Sequence, residues 1–398
     1  MNFDEIIDRN DFPTMKWDRA FLADHFGHAE AIPMSVADMD LPAPAAVMAA
    51  CQRRADHGIY GYEYRPEGYF SALEGWYARR HGWQMDRQQM EQCPSILNAV
   101  AVLLEQHSEP GDGVILQVPV FFEFRSVIKS SGRQVVKNPL RLVEGRYEMD
   151  FADLAAKAAL AQNKILILCN PHNPVGRVWT AAELARVAEI CAQHNVLVIA
   201  DEIHGDFAFP PHAYTPYLPV AQGVVSGAAP NAVACISPAK SFNISGVVDA
   251  LAIIPDDAHR QRFHDFAHRY QTNKTNVFAS AAVEAAYTQG GPWLDALLAY
   301  LQDNVALIRS FLDANIPGVR LIEPEGTFLV WLDFTELGLD AKALQHFLGE
   351  EAQVALSQGY WFGREGAGFA RMTIGCPRST VQQALDQLAE AVARLGAI

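Results

Sequence analysis

Cysteine is sparse in this sequence, and its spacing offers no pairing. The six residues, Cys51, Cys93, Cys169, Cys191, Cys235 and Cys376, lie far apart with no C-x-x-C among them. Disulfide frameworks and cysteine metal sites rely on close or repeated spacings, so reduced thiols are expected, mostly buried, and no metal. Positive charge is also scarce: 31 Lys and Arg stand against 46 Asp and Glu, a formal net charge of -15 with no basic run or stripe. Nucleic acid is therefore not an expected partner. No uninterrupted apolar stretch approaches the roughly 20 residues that a spanning helix needs, so no membrane partner is expected either. The opening MNFDEIIDRNDF is polar and acidic, unlike the basic-then-apolar pattern of a secretory leader, and a cytoplasmic location is the expectation. Internal repeats, low-complexity tracts and obvious linkers are absent as well.

What remains is an ordinary globular composition, 50% hydrophobic and 19% charged, over 398 residues. That length supports a large core and two domains in one compact unit. Val114–Val118, Lys164–Cys169, Val196–Ala200 and Ala232–Ile236 are short, continuously apolar runs. Such runs suit strands buried on both faces, as in a parallel sheet covered by helices. Thr180-Ala-Ala-Glu183 reads as a capping box for a helix with the stripe Leu184, Val187, Ala188 and Cys191, ending near Asn195. Ser379-Thr-Val-Gln382 reads as a second box, before Val381, Leu385, Leu388, Val392 and Leu395. Strand, helix and strand across 164–200 make a βαβ unit, and an α/β fold is expected. From about Gly290 the character changes to a long helical pattern, Trp293–Ala314, then an apolar strand, Phe328–Leu332, which suggests a smaller α+β domain.

Three buried runs end in groups able to do chemistry. After Ala232–Ile236 comes Ser237-Pro-Ala-Lys240-Ser-Phe-Asn243, which places a lysine at the rim of the sheet, where ligands bind in such folds. Apolar surroundings would lower its pKa and favour a neutral, nucleophilic amine. After Val196–Ala200 comes Asp201-Glu202-Ile203-His204, whose carboxylate can pair with a cationic ring nitrogen. After Lys164–Cys169 comes Asn170-Pro-His-Asn173-Pro174-Val-Gly176, a turn fixed by its prolines. Taken singly, a surface loop, a cap and a tight turn explain them. A common function explains all three.

Together the motifs resemble the fold-type I pyridoxal-phosphate superfamily, whose aminotransferase class I/II members carry N-P-x-N-P-x-G, D-E-x-x and S-x-x-K in this order. A finer resemblance is to the MalY/PatB type of cystathionine β-lyases, carbon–sulfur lyases. It rests on Lys16-Trp17-Asp18, Val36-Ala-Asp-Met-Asp40, Gly61-Tyr62, Asp201-Glu-Ile-His204, Ser237-Pro-Ala-Lys240-Ser-Phe-Asn-Ile244 and Arg371-Met-Thr-Ile-Gly-Cys-Pro-Arg378. The resemblance implies the aspartate-aminotransferase fold, with a mainly parallel central sheet between helices. A large cofactor-binding domain would span 48–288, and a small domain 1–47 with 289–398.

The resemblance also implies roles. Lys240 would carry pyridoxal 5'-phosphate covalently and act as the general base at the substrate Cα. Asp201 would pair with the pyridinium nitrogen. Asn173 would bond the ring hydroxyl oxygen, and His204 falls where many aminotransferases place a tyrosine for the same oxygen. Phe121 would stack on the ring, without the hydroxyl of the tyrosine common there. Ser95, Ile96 and Leu97, at the start of a helical stretch reaching about Gln106, would receive the phosphate with Ser237. Tyr62 would reach the phosphate of a neighbouring subunit, implying a homodimer with shared sites; an interface or core aromatic is the other reading. Arg371 would fork onto the substrate carboxylate. Two departures concern the phosphate: Ala239 replaces a common hydroxyl residue, and Val248 stands where aspartate-aminotransferase relatives carry an arginine.

The expected reaction is α,β-elimination from cystathionine or another cysteine S-conjugate, giving a thiol, pyruvate and ammonia. The catalytic lysine serves transamination equally well, so an aminotransferase of neutral or aromatic amino acids is the alternative. A regulatory or binding protein retaining fold and cofactor is a third reading. Tyr60–Tyr69 and Gln358-Gly-Tyr-Trp-Phe362 are candidates for lining the substrate pocket.

Overall fold

The computed structural model describes residues 1–225 and 229–395. Seven strands form the main sheet: β1 (Met90–Cys93), β2 (Gly113–Leu116), β3 (Gln134–Lys137), β4 (Asn163–Cys169), β5 (Leu197–Asp201), β6 (Ala232–Ile236) and β7 (Ala250–Ile253), in the order β1-β7-β6-β5-β4-β2-β3. The pairs from β3 across to β6 are parallel, and β7 runs antiparallel to both its neighbours. All residues of β2, β5, β6 and β7 are buried, as continuous apolar runs covered on both faces require.

The expected boundaries hold to within one or two residues, and the shifts have local causes. The helix after β4, α3 (Ala181–Gln193), has both halves of its capping box at Thr180 and Glu183. It stops short of Asn195, which takes a left-handed conformation at φ 55°, and β5 starts one residue late, at Leu197. A second helix, α1 (Ile96–His107), precedes β2 and is capped by Ser95, whose hydroxyl accepts from the Asn98 N–H at 3.2 Å.

The chain after β7 builds a second, antiparallel sheet of four strands, β8 (Arg320–Ile322), β9 (Leu329–Asp333), β10 (Ser357–Gln358) and β11 (Phe369–Thr373), in the order β8-β9-β11-β10. The long helix α4 (Gly291–Asn315) leads into it, starting ahead of Trp293 because Pro292 suits a first turn. Its buried Leu294, Leu297, Leu301, Val305, Ile308 and Leu312 recur at helical spacing. Each such side chain contributes about 1.5–3 kcal/mol by leaving water. The last helix, α5 (Arg378–Leu395), corrects one expectation: Ser379 lies inside it and caps nothing. The Pro377 carbonyl already accepts from the Thr380 and Val381 N–H groups, so the helix starts two residues earlier, at Arg378.

The cysteines are free, five of them buried and Cys51 half-buried. Among the described residues no helix is long and apolar enough to cross a membrane.

Candidate active site

Parallel pairing places the functional loops side by side. In register, Cys169 of β4 faces Asp201 of β5, and Asp201 faces Cys235 of β6. Neighbouring strands lie about 4.8 Å apart, so the Asn170–Asn173 turn, Asp201 and Ser237–Lys240 emerge together at one edge of the sheet. A cavity of about 250 Å³ opens there. Ser95, Ile96 and Leu97 line it from the start of α1, and Phe121 from the loop after β2. Asn173, Asp201, His204, Ser237 and Lys240 line it from the strand ends. Ala239 and Val248, the two positions expected to weaken a phosphate site, lie on the same wall. A second cavity of about 620 Å³ adjoins it, with Lys240 and Phe121 again on its wall and Arg371 opposite.

The charged groups are unusually short of partners. Asp201 is buried, and its Oδ1 accepts only the Ile203 N–H at 3.0 Å. Burial raises its carboxyl to about 6. No cation among the described residues forms a salt bridge with it. Arg371 is also buried, and burial lowers its guanidinium to about 9. It donates to Asn173 Oδ1 (3.0 Å), to the Ser35 carbonyl (2.6 Å) and to Ser357 Oγ (3.1 Å), while its Nε has no partner. No carboxylate among the described residues reaches it. A buried cation costs free energy unless an anion joins it, so Arg371 is prepared for an incoming carboxylate. Arg371 is therefore no ordinary surface arginine.

Lys240 sits between these two, and burial lowers its ammonium to about 8. Its Nζ donates to the Ala37 carbonyl. His204 is buried beside it, with Nδ1 unpartnered; burial lowers it to about 3, so its imidazole is neutral. Asn173 gives its Oδ1 to Arg371 and leaves Nδ2 without a partner among the described residues. At the other end the Ile96 and Leu97 N–H groups, in a first helical turn, have no intrahelical acceptor. Ser237 Oγ donates to the Asp249 carbonyl at 2.6 Å and accepts from the Ala239 N–H at 3.2 Å. The donor set therefore fits pyridoxal phosphate: free N–H groups for a phosphate, an amine for an aldehyde and an unpaired carboxylate for a basic ring nitrogen.

The lowered amine has a measurable consequence. Covalent uptake of pyridoxal phosphate by the apoprotein should accelerate as pH rises through about 8, because only the unprotonated amine attacks. Following the absorbance change at several pH values checks this; a midpoint near the ordinary lysine value of about 10.4 would contradict it.

Tyr62 is fully exposed and lines neither cavity, so it is no core aromatic. Of the two candidate pocket segments, Trp361 lines the larger cavity and buried Phe362 lies under the Arg371 guanidinium at 5.0 Å. The Tyr60–Tyr69 tract does not line it: Tyr60 and Tyr64 are exposed, and buried Tyr69 donates to Asp249 Oδ2 at 2.6 Å.

Ser35, Ala37, Ser245 and Ser357 were not singled out from sequence, yet they touch Lys240 or Arg371 or line the cavities. The signal for the first two lay in Val36-Ala-Asp-Met-Asp40. Lys16 Nζ donates to Asp40 Oδ2 (2.7 Å) and to the Asp38 carbonyl (3.0 Å), and Trp17 Nε1 to Asp40 Oδ1 (2.9 Å). Asn243, three residues past Lys240, donates to the Met39 and Leu41 carbonyls at 2.9 and 2.7 Å. These motif residues form one clasp that holds Ala37 against Lys240 and Ser35 against Arg371.

The chain is similar to known proteins over nearly its whole length. Residues 29–388 match the family described as aminotransferase class I and II. The chain is 37% identical to cystathionine beta-lyase PatB of Bacillus subtilis, covering 98% of this chain and 100% of that one. It is 34% identical to protein MalY of Escherichia coli, covering 98% of each. In structure it is similar to cystalysin from Treponema denticola, which contains a pyridoxal 5'-phosphate cofactor: the TM-score is 0.94 at 29% identity, over 99% of both chains. This chain belongs to the aminotransferase class I and II family.

Proposed function

We propose that the protein is a pyridoxal-phosphate-dependent carbon–sulfur β-lyase, which cleaves cysteine S-conjugates to a thiol, pyruvate and ammonia. The relatives named cystathionine beta-lyase, matched over nearly their whole length, support the reaction. The observation that carries it is the pairing of Lys240 with Arg371, a buried cation lacking a carboxylate, across one cavity.

Bound pyridoxal phosphate supplies an aldehyde that joins amines and a ring that takes up the electron pair left on Cα. Arg371 forks onto the substrate carboxylate and so fixes Cα beside Lys240. The Lys240 amine removes the Cα proton, after which the β-carbon–sulfur bond breaks and the thiolate leaves. Asp201 would keep a proton on the ring nitrogen, Asn173 Nδ2 and neutral His204 would hold the ring oxygen, and Phe121 would pack on the ring. Ser95, Ile96, Leu97 and Ser237 would hold the phosphate.

The active unit in this reading is a homodimer. Tyr62 lies among exposed Ile59, Tyr60 and Tyr64, an apolar patch suited to burial against a second copy, whose phosphate Tyr62 reaches. A large domain at 48–288 and a small one at 1–47 with 289–398 agree with the separation of the two sheets. Six free thiols suit the reducing cytoplasm.

Incubation with S-methyl-L-cysteine or L-cystathionine, without any 2-oxo acid, should give sustained release of pyruvate and thiol. Product formed only when a 2-oxo acid is added, together with a new amino acid, would assign an aminotransferase instead.

A further inference from the structure

The larger cavity extends far beyond the space that a cysteine backbone needs. From Lys240 outward its wall is a series of rings in contact. Phe121 lies 5.3 Å from Phe122, Phe122 6.3 Å from Trp361, Trp361 5.9 Å from Phe26, and Phe26 6.2 Å from Phe21. Met15 stands at the outer rim, 65% exposed. Phe121, Phe122, Trp361 and Phe21 are only partly buried, so these rings still present apolar surface to the cavity.

Charge on this wall is uneven. Lys240 and Arg371 are its only lysine and arginine, and both stand at the inner end. The other ionisable lining groups are Asp38, whose charge acts on Lys240, and, farther out, Glu123 and His25. Asp38 is held by Arg9 at 2.9 Å and by Lys16, and His25 Nδ1 bonds the Phe21 carbonyl at 3.1 Å. Glu123, in the first turn of the helix Phe122–Ser130, has no partner among the described residues. A leaving thiol with a carboxylate and no ammonium would bring an anion beside Glu123 and away from the two lining cations, an unfavourable placement in a largely apolar cavity; where the thiol is an amino acid, its ammonium can pair with Glu123 and the cost lies in burying the rest of the zwitterion.

We propose that the outer cavity selects cysteine S-conjugates whose leaving thiol is uncharged and aromatic, with Trp361 and Phe122 as the specificity-determining rings and Glu123 as the group that disfavours anionic thiols. The inference rests on the β-lyase reading and sharpens its substrate class. Rings prefer tilted or edge-on contacts at 4.5–7 Å, the spacing this wall already uses, so an inserted phenyl group continues the series. Discrimination by an apolar pocket amounts to about 10- to 200-fold per group recognised.

The holoenzyme's kcat/KM should therefore be at least about 10-fold higher for S-benzyl-L-cysteine than for L-cystathionine, read as pyruvate released. Trp361→Ala should narrow the ratio of S-benzyl- to S-methyl-L-cysteine, and Glu123→Gln should narrow the gap between S-benzyl- and S-carboxymethyl-L-cysteine, whose leaving thiol carries a carboxylate and no ammonium. Using ratios within one variant removes any effect of misfolding. Cystathionine cleaved as well as or better than the benzyl conjugate, or Trp361→Ala slowing benzyl and methyl conjugates in proportion, would overturn the assignment and leave the lyase standing. Absence of pyruvate from every conjugate would remove the lyase reading and this inference with it.

Discussion

Lys240→Ala is expected to lower kcat/KM for any cysteine S-conjugate by on the order of 10⁴-fold, the upper range for a general base. The reason lies in the surroundings as much as in the lysine. Among the described residues Lys240 is the only lysine on either cavity wall, so no second amine there can take its place. The nearby Lys16 is committed, with its Nζ held by Asp40 at 2.7 Å and by the Asp38 carbonyl. The same variant should lose covalent attachment of the cofactor. Borohydride reduction followed by peptide mass analysis should find the label on the peptide containing residue 240 in the wild type, and on no peptide in the variant. Added methylamine should recover part of the proton transfer, because the pocket stays intact while the base is supplied from solution. A label on another lysine, or activity within tenfold of wild type, would remove Lys240 from its role.

The parts of this site readable in the sequence are those tied to the ends of buried parallel strands. Short continuous apolar runs put apolar side chains on both faces of a strand, so β4, β5 and β6 announce a covered sheet, and the residues just after them must share its edge. Asn173, Asp201, Ser237 and Lys240 were visible for that reason. Ser95 was visible through its capping role, which the structure retains at 3.2 Å. Ser35, Ala37 and Ser357 were not, the first two because their contribution depends on contacts across more than three hundred and two hundred residues of chain. Ala37 and Ser35 act through backbone carbonyls, and no side-chain pattern encodes a carbonyl's direction. Ser357 meets Arg371 only because β10 pairs with β11 in a register that places the two residues opposite each other. Likewise the capping pattern at Ser379 was locally valid but lost to Pro377, whose carbonyl already begins the helix. Arg371 illustrates the same limit from the other side. Its sequence neighbourhood resembles that of Arg378, yet Arg378 pairs with Asp303 at 3.2 Å near the surface while Arg371 is buried without an anion.

Asp201→Asn is expected to lower kcat by about 10³-fold, in the range seen when one electrostatic stabiliser is removed, with a much smaller change in KM. Asp201 does not touch the substrate in this reading; it acts on the ring nitrogen, so its loss weakens the uptake of electrons from Cα and leaves Arg371 to bind the carboxylate as before. The adjacent Glu202 provides an internal comparison. Successive residues at a strand end face opposite ways, and Glu202 lines neither cavity: its Oε1 accepts from the Tyr217 N–H at 2.8 Å and from Asn170 Nδ2 at 3.1 Å. Burial raises its carboxyl to about 7, so much of it is already neutral near pH 7 and Glu202→Gln changes little charge. The two variants remove the same kind of group, one residue apart, yet only the first should slow turnover, while Glu202→Gln should stay within a few-fold of wild type. Steady-state kinetics of both, with the visible absorbance of the bound cofactor as a check on occupancy, decide the matter. Equal losses in the two would mean that this strand end needs its carboxylates for folding, and Asp201 would then have no separate role at the ring.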